Sequence, residues 1–313
     1  MGYEQALKVI TEVKKAVKGK DEIVQKVLMG VIAKGHILME DIPGVGKTTL
    51  ALAFAKAMDL KQNRMQFTID VLPSDVVGFS MFNVKTQNFE FKEGAVMCNL
   101  FLADEINRTS SKTQSALLEA MEEGQVTVDG VTHKIPVPFT VIATQNPVGS
   151  AGTQMLPESQ LDRFIMKLSM GYPDAASEVS IIQGKNGANP LDEVNTVVNA
   201  EDILNMQKEV EQIYVDRTIY EYMVMLCSIT RTHPLIDLGV SPRGTVALAC
   251  MAKAHAYLYG RSYVTPEDVQ MVFPDVVKHR LVLSPKAKVS KVTVENVIKT
   301  VFEAVPVPRP IIK

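Results

Sequence analysis

The chain has 313 residues, 46% hydrophobic and 22% charged, which is room for one large or two ordinary globular domains and excludes disorder. Its 33 Lys and Arg against 35 Asp and Glu give a formal charge of −2, arguing against life on nucleic acid or an anionic membrane. No uncharged apolar run of about 18 residues predicts a membrane span, and Cys98, Cys227 and Cys250 lack metal-ligand spacing and read as buried thiols of a cytoplasmic protein.

The opening "MGYEQALKVITEVKKAVKGK" is amphipathic, without a signal-peptide core. "HILME" (36–40) reads as a strand and runs directly into "DIPGVGKTT" (41–49), after which "KTTLALAFAKAM" reads as a helix. Further strands are predicted at "MQFTI" (65–69), "LFLAD" (100–104), "TVIATQN" (140–146) and "FIMKL" (164–168). Short apolar runs alternating with helical stretches predict a parallel five-stranded sheet covered on both faces. "TSSKTQSALLEAMEEG" (109–124) is a helix with Thr109 or Ser110 as cap and Gly124 as stop. Two hairpins interrupt the alternation, a loose one at 82–94 and a sharper one at 125–135 around Asp129-Gly130. Beyond "GYPDAASE" the strand pattern stops, with helices expected within 200–213, 216–231, 241–259, 265–273 and 293–304. The chain therefore divides into an α/β domain, 1–173, and an all-α domain, 174–313.

The segment Pro43-Gly44-Val45-Gly46-Lys47-Thr48-Thr49 is the first candidate site. The pattern G-x-x-x-x-G-K-[ST] fits it except that Asp41 replaces the first glycine. Two remaining glycines still let several N–H groups curl around one anion at a helix N-terminus. Lys47 would reach the β- and γ-phosphates and Thr48 would hold Mg²⁺. The plain alternative is a glycine turn before an amphipathic helix. "LFLADE" ends in adjacent carboxylates, Asp104 placed to hold the metal and Glu105 to polarise an attacking water. Asn146, Arg163 in "LDRF" and Arg243 in "SPRGTVAL" are further candidates. The plain alternatives are an Asn-Pro turn for Asn146, a surface residue or salt-bridge partner for Arg163 and a surface residue for Arg243.

Together, "EDIPGVGKT", "ADEINRTSSKTQSALLEAMEEGQVTVDG", "VIATQNP", "LPESQLDRF" and "SPRGTVALA" resemble the MoxR family of AAA+ ATPases in order and spacing. The family commonly has prolines where this chain has "TSSK". The resemblance implies a P-loop AAA+ domain with a C-terminal helical lid, binding ATP or ADP with Mg²⁺. It implies that Lys47 and Thr48 form Walker A, Asp104 and Glu105 Walker B, and Asn146 sensor 1. Arg163 matches the arginine finger, Arg243 the sensor 2 arginine, and Gly19 a segment lining the adenine pocket. It also implies a hexameric ring and a chaperone-like action on protein clients, often with von Willebrand factor A domains. A nucleic-acid motor of a related AAA+ clade is the alternative. A GTPase is disfavoured because no Asn-Lys-x-Asp tetrapeptide occurs.

Overall fold

The computed structural model describes residues 2–42, 44–146, 156–176, 178–179 and 189–308. Five parallel strands form the central sheet in the order β2-β5-β8-β1-β9: Gln62–Gln66, Leu100–Asp104, Thr140–Gln145, Ile37–Glu40 and Met166–Leu168. The three inner strands are almost wholly buried, which is why they read as unbroken apolar runs. Alternation along β1 divides the core. Ile37 and Met39 face one apolar cluster, and Leu38 faces the other.

One strand lies earlier than its apolar signal. β2 occupies 62–66, not 65–69, because it is an edge strand with alternating exposure and a polar sequence. Apolar Phe67, which suggests a strand, sits just past its end and is fully buried. The first face of the sheet is covered by α1 (Gly2–Ala16), α2 (Asp21–Ile32) and α3 (Lys47–Ala57). The second carries α4 (Pro73–Val77) and α5 (Ser111–Glu123), the latter capped by Ser110 Oγ on the Thr113 N–H and ended by Gly124 at φ 62°. Hairpin β3–β4 (Gly78–Asn83, Asn88–Glu93) precedes β5, and hairpin β6–β7 (Gln125–Val128, Val131–Lys134) follows α5. Asp129 and Gly130 both have positive φ, as the two-residue hairpin turn requires. The four-residue helix α6 (Glu158–Leu161) leads into β9.

The C-terminal part consists of α7 (Ala200–Glu211), α8 (Arg217–Thr232), α9 (Pro242–Leu258), α10 (Pro266–Val277), the short α11 (Pro285–Val289) and α12 (Val294–Ala304). Asn199, Asp216, Ser241 and Thr293 cap four of them through side-chain oxygens. A two-stranded antiparallel ribbon, β10 (Ile236–Leu238) with β11 (Val282–Leu283), adds strand that the all-helical expectation omits. The first apolar cluster runs without a break from α1 into these helices, so the lid shares a core with one face of the sheet. Buried Arg280 strengthens that junction. It donates to Asp162 Oδ1 at 2.6 Å and to the Asp162 and Phe164 carbonyls at 3.1 and 2.7 Å.

Candidate active site

β1 delivers the chain to the carboxyl edge of the sheet, where residues 41–48 turn into α3. Gly44 and Gly46 take φ of 85° and 95°, conformations that L side chains rarely adopt. No other atom lies within 4 Å of a Cβ built at Gly44, so backbone conformation rather than crowding requires glycine there. α3 has no side-chain cap, leaving its first-turn N–H groups for an anion. Lys47 is 9% exposed, and its Nζ donates to the carbonyls of Asp41 and Ile42 at 3.0 and 3.4 Å, with no carboxylate in direct contact among the described residues. Burial lowers its pKa from the ordinary value, opposed by the fields of Asp41, Asp104 and Glu105. Thr48, Thr49 and Val45 are half-buried around it. Pro43 lies outside the described residues.

Asp41, the residue in place of the pattern's first glycine, has work of its own. Its buried carboxylate accepts Ser169 Oγ at 2.8 Å and the N–H groups of Met170 and Gly171 at 2.5 and 3.0 Å. These bonds fasten the loop to the chain leaving β9. Lys20, beside Gly19 in the α1–α2 turn, donates to the Met170 and Tyr172 carbonyls. Gly19, at φ 71°, is thereby brought to the same edge.

The acidic pair stands at the end of β5. Asp104 is buried, and its carboxylate accepts Arg64 Nε at 2.7 Å and Thr144 Oγ1 at 3.3 Å. Glu105 adopts φ 56°, ψ 47°, a left-handed conformation costing a non-glycine residue roughly 1 kcal/mol or more. The Glu105 N–H donates to Thr144 Oγ1 at 2.9 Å, so one threonine aligns both acids. Its carboxylate accepts Asn146 Nδ2 at 3.0 Å and Arg108 NH1 at 2.7 Å. Burial alone would raise the Glu105 pKa, but these two hydrogen bonds together with the positive fields of Arg108 and Lys47 lower it below its ordinary value. Asn146 Oδ1 is buried and has no hydrogen-bond partner among the described residues.

Arg163 and Arg243 are elsewhere. Ile165 donates its N–H to His36 O and Met166 pairs with Ile37, which puts Arg163 at the amino edge of the sheet. Arg243 joins it there: both guanidiniums ion-pair with Glu122 in the last turn of α5. The structure thus gathers Lys47, Asp104, Glu105 and Asn146 at one edge and the two arginines at the other. Arg64, Arg108, Thr144 and Glu122 are additions to the sequence-derived set. Arg108 lies only three residues past Glu105 and was within reach of spacing. Arg64 depends on which strand neighbours β5, which no local pattern reveals.

This sheet order, a phosphate loop after the inner strand β1 and a helical lid define a P-loop ATPase of the AAA+ class. The model of the ATPase family associated with various cellular activities (AAA) matches residues 36–166, and that of the AAA lid domain matches 228–301. The chain is 46% identical to the Bacillus subtilis protein YeaC over 98% of both chains. It is 37% identical to chaperone MoxR1 of Mycobacterium tuberculosis, covering 96% of this chain and 81% of that one. A solved chain from Cytophaga hutchinsonii superposes with a TM-score of 0.92 at 37% identity, over 98% of this chain and 96% of that one. The chain belongs to the MoxR family of AAA+ ATPases.

Proposed function

We propose that this protein binds and hydrolyses ATP at the edge holding Lys47 and Glu105, as a ring, and uses turnover to remodel or activate a partner protein. The observation that carries the reading is the convergence at one sheet edge of an uncapped helix N-terminus, a lysine held by backbone carbonyls, and a carboxylate held by an asparagine. The loop 43–49 would wrap the phosphates with backbone N–H groups, and Lys47 would exchange its carbonyl contacts for phosphate oxygens. The Gly19 turn would border the adenine.

Thr48 Oγ1 has no hydrogen-bond partner among the described residues, and Asp104 keeps free lone pairs beside Arg64 and Thr144, so both suit a divalent ion. Mg²⁺ held there would neutralise charge developing on the β- and γ-phosphates. Glu105, ionised by its hydrogen bonds, orients and polarises the attacking water. The unpaired Asn146 Oδ1 offers that water a second acceptor. The nucleotide would supply a second anion to Arg163 and Arg243, which share the single carboxylate of Glu122, and would do so from the neighbouring subunit, since both lie across the sheet from their own loop.

The division proposed is 1–173 for the ATP-binding domain and 174–313 for the lid. The chaperone role and clients with von Willebrand factor A domains rest on membership in the family. A cytoplasmic setting follows from the cysteine usage, and among the described residues no helix is long and apolar enough to cross a membrane.

Two variants test the site. Lys47→Ala is expected to abolish ATP binding in calorimetry with an unchanged melting temperature. Glu105→Gln should still bind ATP while turnover falls by about 10²-fold or more. Parental affinity and parental turnover in both variants would overturn the assignment.

A further inference from the structure

Arg163 precedes the last sheet strand and Arg243 opens a lid helix, yet one carboxylate stands between them. Glu122 takes Arg163 NH1 on Oε2 at 3.1 Å and Arg243 NH2 on Oε1. Arg163 NH1 also donates to the Leu118 carbonyl, one turn back on α5, at 2.7 Å. Its Nε is buried and has no partner among the described residues. Glu119 and Glu123 line a hollow with Glu122 and Arg163, but neither ion-pairs with either arginine among the described residues. Asp162 is committed elsewhere, to Ser241 Oγ at 2.7 Å and Arg280 Nε at 2.6 Å. Two cations therefore share one anion, beside a cavity of about 270 Å³ lined by Glu122, Arg163 and Arg243.

We propose that Glu122 is a positioning residue for the ATPase reaction. Its carboxylate fixes the two guanidinium groups at one spacing, so that they meet a single phosphate group of the neighbouring subunit's nucleotide together. The physical basis is that like charges at close range repel, and two long side chains hold one geometry only when a shared, bridging anion defines it. The residual positive charge of the trio is then the part that attracts phosphate. This inference rests on the reading that both arginines act across a subunit interface.

Glu122→Gln tests it, since the variant keeps size and one acceptor oxygen while losing the charge at a half-exposed position. In assembled protein, turnover at saturating ATP is expected to fall about tenfold or more, while KM for ATP stays within about twofold because the variant's own phosphate loop is intact. Glu122→Asp, one methylene too short to span both arginines, should fall between the two. The double variant Glu122→Gln with Arg163→Ala should be no slower than Arg163→Ala alone, because both remove one unit.

Mixing supplies the readout that a merely structural role would not move. Lys47→Ala subunits carry an intact Glu122, Arg163 and Arg243, and Glu122→Gln subunits carry an intact phosphate loop, so mixed rings should regain turnover. Parental turnover in Glu122→Gln overturns the proposal. So does a slow Glu122→Gln that Lys47→Ala fails to rescue while Arg163→Ala is rescued, which would assign Glu122 to its own subunit's site or fold. If Arg163→Ala is not rescued either, in mixtures shown to form mixed oligomers, the across-interface reading fails and the proposal falls with it.

Discussion

His36, one residue before β1, shows how a buried titratable side chain couples this fold to pH. Its Nδ1 accepts the Val141 N–H at 3.0 Å, so the proton sits on Nε2, which donates to Met121 O at 3.0 Å. Burial pushes its pKa down to about 4. The unfolded chain titrates near 6.5. Between those values the unfolded state takes up a proton that the folded state refuses, so stability falls as pH falls, by roughly 3 kcal/mol once pH 4 is reached. Buried His279, also lowered by burial and by Arg280 beside it, acts in the same direction. Asp268 does not enter this window. Burial disfavours its charge, but hydrogen bonds from Arg261 and His255 hold it well below its ordinary value, so its contribution is lost only below about pH 4. Urea unfolding from pH 7 to 5 should therefore show a falling midpoint whose slope is reduced, but not abolished, in His36→Gln. Equal slopes in variant and parent would show that His36 does not carry the effect. Cys98 answers a different pH question: burial raises its thiol to about 12, so at neutral pH it is a core thiol and not a reactive thiolate.

The β3–β4 hairpin carries a cluster of exposed apolar side chains. Phe79, Met81, Phe82, Val84 and Phe89 are all at least 43% exposed on β3–β4 or its turn, with Phe82 and Phe89 packed edge to face at 5.4 Å. Phe91 of the same hairpin stacks on His133 of β7 at 3.7 Å between ring centres, so the two hairpins form one contiguous surface. Replacing Phe82 and Phe89 with serine should leave the melting temperature and basal turnover near parental values while reducing capture of partner protein by the Glu105→Gln background. An equal loss of basal turnover would mean that the hairpin braces the ring instead. The 125–135 hairpin was readable in the sequence because alternation and an Asp-Gly turn are local signals, whereas the looser one expected at 82–94 begins four residues earlier, at Gly78. The inner strands were readable for the same reason, Leu100–Asp104 to the residue, since burial on both faces writes an unbroken apolar run. Strand β2 was not, because an edge strand needs little apolar sequence, and neither was the β10–β11 ribbon, whose strands are three and two residues long. The partners of the acidic pair were hidden by distance along the chain. Arg64 and Thr144 each stand 40 positions from Asp104 and meet it only through the sheet order.

That order also separates the two halves of the chemistry. β1 has four residues, about 13 Å of strand at roughly 3.3 Å each, and its ends carry the phosphate loop on one side and the His36–Ile165 junction on the other. Arg163 is tied to the second end by Leu118 O, and Arg243 by Glu122. The lid cannot simply swing Arg243 over its own loop, because Arg280 and Ser241 bind Asp162 beside Arg163 and the lid shares the apolar core of α1 and α2. On the proposed reading a subunit alone has a phosphate loop, an acid pair and Asn146 at one edge, with Arg64 and Arg108 engaged by the acids there. Arg163 and Arg243 stand at the far edge from its own γ-phosphate. An arginine supplied from a neighbour accelerates P-loop hydrolysis by about 10³ to 10⁵, roughly 4 to 7 kcal/mol of barrier. Turnover per subunit should therefore climb steeply with protein concentration and level off once rings are complete. Arg163→Ala should remain near the low, dilute rate at every concentration. The measurement is turnover against concentration at saturating ATP, with oligomer mass followed by light scattering in the same samples. A parental rate that stays constant while the mass falls to that of a single chain would end the interface reading and leave Arg163 as Glu122's local ion-pair partner.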